Sequence, residues 1–176
     1  LMEQLGYRNL TEHQYSVAAF IIGSLDDDGY LRRSIDSLVD DLSFRASIET
    51  DEDEVLQMLK VIQEFEPIGV GARDLRECLL LQIRLFKKTP EVVNATKILT
   101  HHFNEFTSKH FQKIMTRMGL SEAELKAAIA KILKLNPSPQ GLLPLAFPGM
   151  TSVLILGIKN APRKTPVRSR PFSCYY

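Results

Sequence analysis

The chain contains 176 residues, of which 44% are hydrophobic and 24% are charged, as is ordinary for a soluble globular protein that buries a core. Two distant cysteines without a C-x-x-C pair exclude a disulfide framework and favour a reduced, cytosolic setting. The longest apolar stretch, residues 142–158, is interrupted by prolines and glycines and is too short to cross a membrane. Because polar residues follow Met2, no signal peptide is predicted. We therefore expect a cytoplasmic protein without a membrane partner.

The net charge of +1 conceals an uneven distribution along the chain. Residues 140–176 contain five basic residues and no acidic one, which leaves 17 basic and 21 acidic residues in residues 1–139. Non-specific affinity for DNA comes mainly from the neutralisation of phosphates. The slightly acidic body of the chain is therefore expected to bind a protein rather than DNA.

Helical periodicity of the apolar residues extends to Leu135. Capping residues, a proline and a glycine mark where the helices begin and end. The fifth helix should continue through His102 to Phe106, and Gly119 should end the sixth. In chain order, the seven helices are predicted to begin at or shortly after Thr11, Ser34, Thr50, Asp74, Pro90, Ser108 and Ser121.

No segment shows a sustained alternation of apolar and polar residues, so no β-sheet is expected. The predicted fold class is all-α, a multi-helix orthogonal bundle whose first three helices are helix-turn-helix-like. The second of these helices carries Asp36, Asp40 and Asp41, which would repel phosphates, so it should not read DNA. We predict an N-terminal helical subdomain, a C-terminal helical subdomain and a divergent, irregular, basic tail, in residues 1–66, 67–139 and 140–176.

A first turn motif, Leu25-Asp26-Asp27-Asp28-Gly29-Tyr30-Leu31, follows the first predicted helix. Three adjacent carboxylates could indicate calcium, but Ile35 occupies the loop position that should supply a bidentate glutamate. We favour a structural turn, in which Gly29 has a positive φ and Tyr30 returns to the core. Asp28 should accept hydrogen bonds from nearby backbone N–H groups.

A second turn motif, Phe65-Glu66-Pro67-Ile68-Gly69-Val70-Gly71, runs directly into the fourth predicted helix. Pro67 fixes its own φ and lacks an N–H, while Gly69 and Gly71 allow φ values that other residues avoid. The motif lacks the third glycine of a dinucleotide site and the lysine of a phosphate-binding loop. We therefore predict a structural turn that orients the next helix.

Three charged residues, Arg73, Asp74 and Glu77, lie where this helix begins. A carboxylate at position 74 suits the exposed N–H groups of a helix N-terminus, and Arg73 with Glu77 forms an i,i+4 charge pair. Both members of the pair should lie on the exposed side of the helix. The three residues can form a structural salt bridge, or they can present a fixed polar pattern to a partner protein, and their chemistry favours neither role.

The sequence contains no pattern of catalytic or metal-binding residues. Cys78 is in register with Leu75 and Leu79, which indicates a buried small residue rather than a nucleophile. His101 and His102 are adjacent and therefore point to different helix faces. We predict a protein that is not an enzyme and has no metal, no cofactor and no small-molecule substrate.

The two turn motifs, with the sequences LDDDGYL and PIGVGARDLRECLLLQ, resemble the core-binding region of the bacterial sigma-54 family of transcription initiation factors. The resemblance covers roughly residues 1–139 and implies a non-catalytic module that binds core RNA polymerase. It also implies that the intact factor binds promoter DNA and an ATP-driven activator through regions absent from this chain. This chain alone should have little sequence-specific affinity for DNA.

Under this interpretation, Arg73, Asp74 and Glu77 are the candidate polymerase-binding residues. Two alternatives come from other functional classes. A helical adaptor or regulatory module would bind a different protein and would not be captured by core polymerase. A small helical hydrolase would need a metal ion or a carboxylate–histidine site, for which the sequence has no pattern.

The sequence pattern changes after Leu135. Asn136-Pro137-Ser138-Pro139 resembles the Pro-x-Pro-Gly exit of the family, with Gln140 inserted before Gly141, and the resemblance ends there. The residues that follow contain five prolines and a basic run but no helix-capping pattern. Our hypothesis is that residues 140–176 are out-of-frame or otherwise aberrant sequence.

Overall fold

The computed structural model describes residues 1–139. This part of the chain contains nine α-helices and no strand, which confirms the all-α prediction. None of these helices has the length and apolar character needed to cross a membrane. The predicted basic tail, residues 140–176, lies outside the described residues. In chain order, the helices are α1 (Met2–Gly6), α2 (Glu12–Gly23), α3 (Ile35–Ala46), α4 (Glu52–Ile62), α5 (Leu75–Ile83), α6 (Pro90–His101), α7 (Phe103–Thr107), α8 (Phe111–Met118) and α9 (Glu122–Ile132).

Side-chain caps begin several helices where the sequence predicts them. Thr11 and Ser121 each form a capping box. The hydroxyl accepts from the backbone N–H three residues later, and the side chain of that later residue accepts from the backbone N–H of the capping residue. The hydroxyl of Ser34 accepts from the backbone N–H of Ser37 at the start of α3. Because these bonds are local, the sequence alone is sufficient to predict them.

One predicted helix start is wrong by one residue. The cap of α4 is Asp51, whose carboxylate accepts from the backbone N–H of Glu54 at 2.8 Å, and not Thr50. The hydroxyl of Thr50 instead donates to the side chain of Glu54 at 2.8 Å. Helix α8 begins at Phe111, so Ser108 precedes it as predicted, and no side chain caps its start. Asp51 is the cap, and Thr50 is not, because Asp51 lies three residues before Glu54, whose N–H it accepts from.

The fifth predicted helix is interrupted, and the first helix of the fold was not predicted. The backbone of His102 leaves the helical conformation (φ −128°, ψ 26°), which separates α6 from α7. The separate helix α7 buries Phe106 in the core, at 2% exposure. The unpredicted helix α1 has five residues and no side-chain cap, so its sequence carries little local signal.

The first hydrophobic core lies among α1–α4 and the turn that follows. Helices α2, α3 and α4 pack on one another, and α1 packs on α2. The helix-turn-helix likeness of α2–α4 stays a prediction. The buried residues of this core are Leu5, Val17, Ala18, Ile21, Leu31, Leu38, Leu42, Val55, Met58, Leu59, Ile62, Phe65 and Val70.

The second hydrophobic core lies among α5–α9. Helix α6 is central, since it packs on α5, α7 and α9. A small third cluster of Tyr30, Ala72 and Cys78 lies at the junction of the two turn motifs. The predicted boundary between residues 66 and 67 stays a prediction, although Val70 packs in the first core. The buried residues of the second core are Leu79, Ile83, Val92, Ala95, Ile98, Leu99, Phe106, Phe111, Ile114, Leu125, Ala128, Ile129, Ile132 and Leu135.

Replacing Ser121 with alanine should lower the free energy of unfolding by about 0.5–2 kcal/mol, because the first N–H groups of α9 lose their cap. Urea titration followed by far-UV circular dichroism measures this change. The matched control is Ser108→Ala, which removes an exposed hydroxyl that caps no helix and should change stability by less than about 0.5 kcal/mol. Equal losses in the two variants would contradict this assignment of the caps.

Candidate functional site

The two turn motifs, separate in sequence, are hydrogen-bonded to each other through their backbones. The N–H of Gly71 donates to the carbonyl of Gly29 at 2.8 Å, and the N–H of Leu31 donates to the carbonyl of Ala72 at 2.9 Å. We call residues 29–31 and 69–72 the motif junction. It joins the segment after α2 to the segment before α5, so it sets the position of α5 relative to the first core.

The first turn is closed by Asp26. One oxygen of its carboxylate accepts from the N–H of Asp28 at 3.0 Å and from the N–H of Tyr30 at 2.7 Å. The prediction that Asp28 bonds the backbone of the turn is therefore wrong, because the carboxylate that accepts from these N–H groups belongs to Asp26. Gly29 has φ 85°, in the left-handed region predicted for it, and Tyr30 is buried.

The second turn approaches α5 too closely for a side chain. Gly69 has φ 102°, and a Cβ atom there would lie 2.8 Å from the Sγ atom of Cys78 and 3.2 Å from the Cγ atom of Pro139. Gly71 has φ 71°, and the N–H of Val70 donates to the carbonyl of Pro67 at 3.2 Å. Glycine at 69 and the small residue Cys78 together allow the turn to lie against α5.

The segment after α9 is fixed to α5 and to the motif junction by two side chains. The amide of Gln82 donates to the carbonyl of Asn136 at 2.6 Å and accepts from its N–H at 2.8 Å. The hydroxyl of Tyr30 donates to the carbonyl of Pro137. Burial raises the pKa of Tyr30, so the hydroxyl keeps the proton that it donates. Sequence reasoning missed Gln82, because its partner lies on a distant segment.

The three candidate polymerase-binding residues belong to one hydrogen-bonded network. Asp74 is the cap of α5, and its carboxylate accepts from the N–H of Glu77 at 2.7 Å. The carboxylate of Glu77 accepts from Arg73 three times: from the backbone N–H at 2.8 Å, from Nε at 3.0 Å and from Nη2 at 3.1 Å. The amide of Gln63 donates to Glu77 at 3.4 Å and to the carbonyl of Gly71 at 3.1 Å. The network thus links α4, the second turn and α5.

The two members of the charge pair differ in exposure. The side chain of Arg73 is 56% exposed, whereas that of Glu77 is 23% exposed. The sequence predicts both on the exposed side of the helix, and only Arg73 lies there. Burial alone would raise the pKa of Glu77, but hydrogen bonds from Arg73, its positive charge and the amide of Gln63 outweigh burial and lower it. Glu77 is therefore ionised at neutral pH and stabilises the fold.

A cleft of about 360 Å³ lies beside this network. It contains the three predicted residues together with polar, apolar and basic neighbours that the sequence analysis did not select. Arg76 and Arg84 are exposed and lie on the same side of α5 as Leu80. The four-residue spacing of positions 76, 80 and 84, which places them on one helix face, was the signal in the sequence that could have identified them. The lining residues are Gln63, Arg73, Asp74, Arg76, Glu77, Leu80, Leu81 and Arg84.

Within residues 1–139, no group of three His, Cys, Asp or Glu side chains is placed to hold a metal ion. Cys78 is buried, and burial raises the pKa of its thiol above the ordinary value. A protonated, buried thiol is a poor nucleophile. The motif junction and the start of α5 thus combine a hydrogen-bonded turn, a capped helix and a polar cleft.

Gly69→Ala should destabilise the fold by at least about 2 kcal/mol, because both backbone strain and overpacking against Cys78 oppose the new Cβ atom. The matched control is Gly23→Ala, where no heavy atom lies within 4 Å of the added carbon. That change should leave stability unaltered or raise it by up to about 1 kcal/mol. Thermal and urea unfolding measure both variants, and a neutral Gly69→Ala would refute the close approach of the turn to α5.

Glu77→Gln should make stability less dependent on pH. The pKa of Glu77 is below its ordinary value of 4.5 in the folded state, so its contribution is complete above pH 4.5 and disappears as the pH falls through the lowered pKa. The difference in unfolding free energy between wild type and Glu77→Gln should therefore be largest near neutral pH and shrink below pH 4.5. Glu122→Gln, at an exposed pair with Lys126, is the control and should have little effect at any pH. A constant difference for Glu77→Gln would contradict the role of its charge.

The family model described as "Sigma-54 factor, core binding domain" matches residues 1–143. The RNA polymerase sigma-54 factor of Salmonella typhimurium is 36% identical over 140 residues, which cover 79% of this chain and 29% of the relative. The RNA polymerase sigma-54 factor of Pseudomonas aeruginosa is 36% identical over 140 residues, covering 79% of this chain and 28% of the relative.

A third relative, the RNA polymerase sigma-54 factor of Shewanella violacea, is 36% identical over 136 residues, covering 75% of this chain and 27% of the relative. The chain thus matches less than a third of the length of each of these relatives. The matched region contains both turn motifs, α1–α9 and the exit segment. The chain belongs to the sigma-54 factor core binding domain family.

Proposed function

We propose that this chain binds core RNA polymerase as the anchoring module of a sigma-54-type transcription initiation factor. The observation that carries the proposal is the family match over residues 1–143, to a domain that is named for binding the core. The role is non-catalytic, because the module supplies a binding surface to the polymerase and performs no reaction itself. In the intact factor, other regions would bind promoter DNA and an ATP-driven activator.

The charge of the chain supports a protein partner. Residues 1–139 carry 17 basic and 21 acidic side chains, so this body attracts phosphates weakly. Exposed Arg73, the mostly buried Glu77 and the helix cap Asp74 remain the proposed contact residues at the polymerase surface. Their network also braces the second turn, so the contact would be made by a preorganised surface.

Purified chain should be captured by bacterial core RNA polymerase in the absence of DNA. A titration of labelled chain with core polymerase, followed by fluorescence anisotropy, should saturate with a dissociation constant of roughly 1 μM or lower, as for a specific protein interface. Duplex DNA at the same salt concentration is the control and should bind far more weakly, because the body is acidic.

Failure of the folded chain to bind core polymerase would refute the proposal. Circular dichroism of the same sample shows whether the chain is folded, so a loss of structure cannot be mistaken for a lack of affinity. Without polymerase binding, the alternative is a helical adaptor or regulatory module with a different protein partner.

A further inference from the structure

Two arginines on the rim of the cleft differ from the other arginines of residues 1–139. The others each form an ion pair: Arg8 with Glu64, Arg32 with Asp26, Arg33 and Arg45 with Asp41, Arg73 with Glu77, and Arg117 with Glu105. Among the described residues, Arg76 and Arg84 have no carboxylate within 4.0 Å. Both of them line the same cleft.

The carboxylates inside the cleft are already engaged. Asp74 caps α5, and Glu77 holds Arg73 and Gln63. They therefore cannot neutralise the two rim arginines without breaking the network that supports the second turn. Arg76 donates one bond, from Nη2 to the carbonyl of Thr100 at 2.9 Å, which fixes the side chain and leaves other N–H groups of its guanidinium available.

Two arginines and a leucine form one stripe along α5 and its C-terminal cap, Arg84. Positions 76, 80 and 84 are four residues apart, so they lie on one helix face, and the rise of 1.5 Å per residue separates the outer two by about 12 Å. Leu80 is half-buried between them, and Leu85, the residue after Arg84, is 67% exposed. The surface thus offers a positive charge, an apolar contact and a second positive charge.

We infer that this stripe binds an acidic segment of core RNA polymerase, with one carboxylate against Arg76, an apolar side chain against Leu80 and a second carboxylate against Arg84. The inference rests on the proposed function and identifies the chemistry of the contact. A guanidinium pairs with a carboxylate through two parallel hydrogen bonds, which gives the contact its geometry. Because positions 76 and 84 are about 12 Å apart along the helix axis, we expect the partner's two carboxylates to lie at a similar spacing, about two turns of a helix.

The cleft favours an acidic peptide over a nucleic acid for two reasons. Leu80 and Leu81 provide apolar contacts that suit a protein side chain. Asp74 and Glu77 carry negative charge beside the stripe and would repel a continuous phosphate backbone, whereas two separated carboxylates can avoid them. Arg73, Asp74 and Glu77, the proposed contact residues, line the same cleft beside the stripe.

The test compares three forms of the full chain in titrations with bacterial core RNA polymerase. Arg76→Glu with Arg84→Glu should raise the dissociation constant at least about tenfold and reduce its dependence on salt, because two charge pairs are reversed. The matched control, Lys126→Glu with Lys134→Glu, makes the same change in net charge at two cations on or just after α9, outside the cleft. It should bind core polymerase as the wild type does.

A second double variant, Arg76→Gln with Arg84→Gln, removes the charges without reversing them. It keeps the inference testable if the reversed variant unfolds, and it should also raise the dissociation constant. Wild-type affinity in a folded double variant would overturn the inference and leave the proposed function intact. Absence of binding by the wild-type chain would instead refute the proposed function and the inference with it. Tight binding of duplex DNA that is lost in the double variants would replace the acidic peptide with a nucleic acid and overturn the inference.

Discussion

The structure depends on two backbone hydrogen bonds between turns that are distant in sequence. They run from Gly71 to Gly29 and from Leu31 to Ala72. Backbone groups buried at such a contact must be paired, so the two turns can meet only in one register. The positive φ of Gly29 and of Gly69 provides the required backbone shape at each turn. Since the first core lies before this contact and α5 lies after it, the two bonds fix how the two helical groups meet.

The charged network beside this contact explains why the cleft has a definite shape. Glu77 is held by the backbone and side chain of Arg73 and by Gln63, so it connects α4, the turn and α5. The salt bridge between Arg73 and Glu77 that the sequence predicts is therefore present. It connects α4, the turn and α5, and this structural role does not depend on whether the pair also contacts a partner protein. The unpaired charges of Arg76 and Arg84 lie outside this network, where a partner can reach them without disturbing the fold.

Local signals predicted the fold better than they predicted the site. Capping residues such as Thr11 and Ser121 act within three residues, so the sequence is sufficient to place α2 and α9. The break at His102 is followed by Phe106, which is buried in a core built from distant helices, and a local pattern cannot reveal such contacts. The sequence identified Arg73 and Glu77 by spacing. Whether an arginine has a partner depends on tertiary neighbours, and for that reason Arg76 and Arg84 emerged only from the structure.

The attachment of the exit segment has a mechanical consequence. Gln82 holds Asn136 by two hydrogen bonds, Tyr30 holds Pro137, and Pro139 packs beside Gly69. In a longer factor that carries this module, the origin and initial direction of the following chain are thereby set by α5 and the first turn. A linker whose first residue is held in place samples a smaller volume than a linker whose first residue can move. The smaller volume raises the effective concentration of the domain attached to the linker. The module would then orient the domain that follows it. Weakening the hydrogen bonds between Gln82 and Asn136 would change the region that the next domain can reach without changing how the module binds its partner.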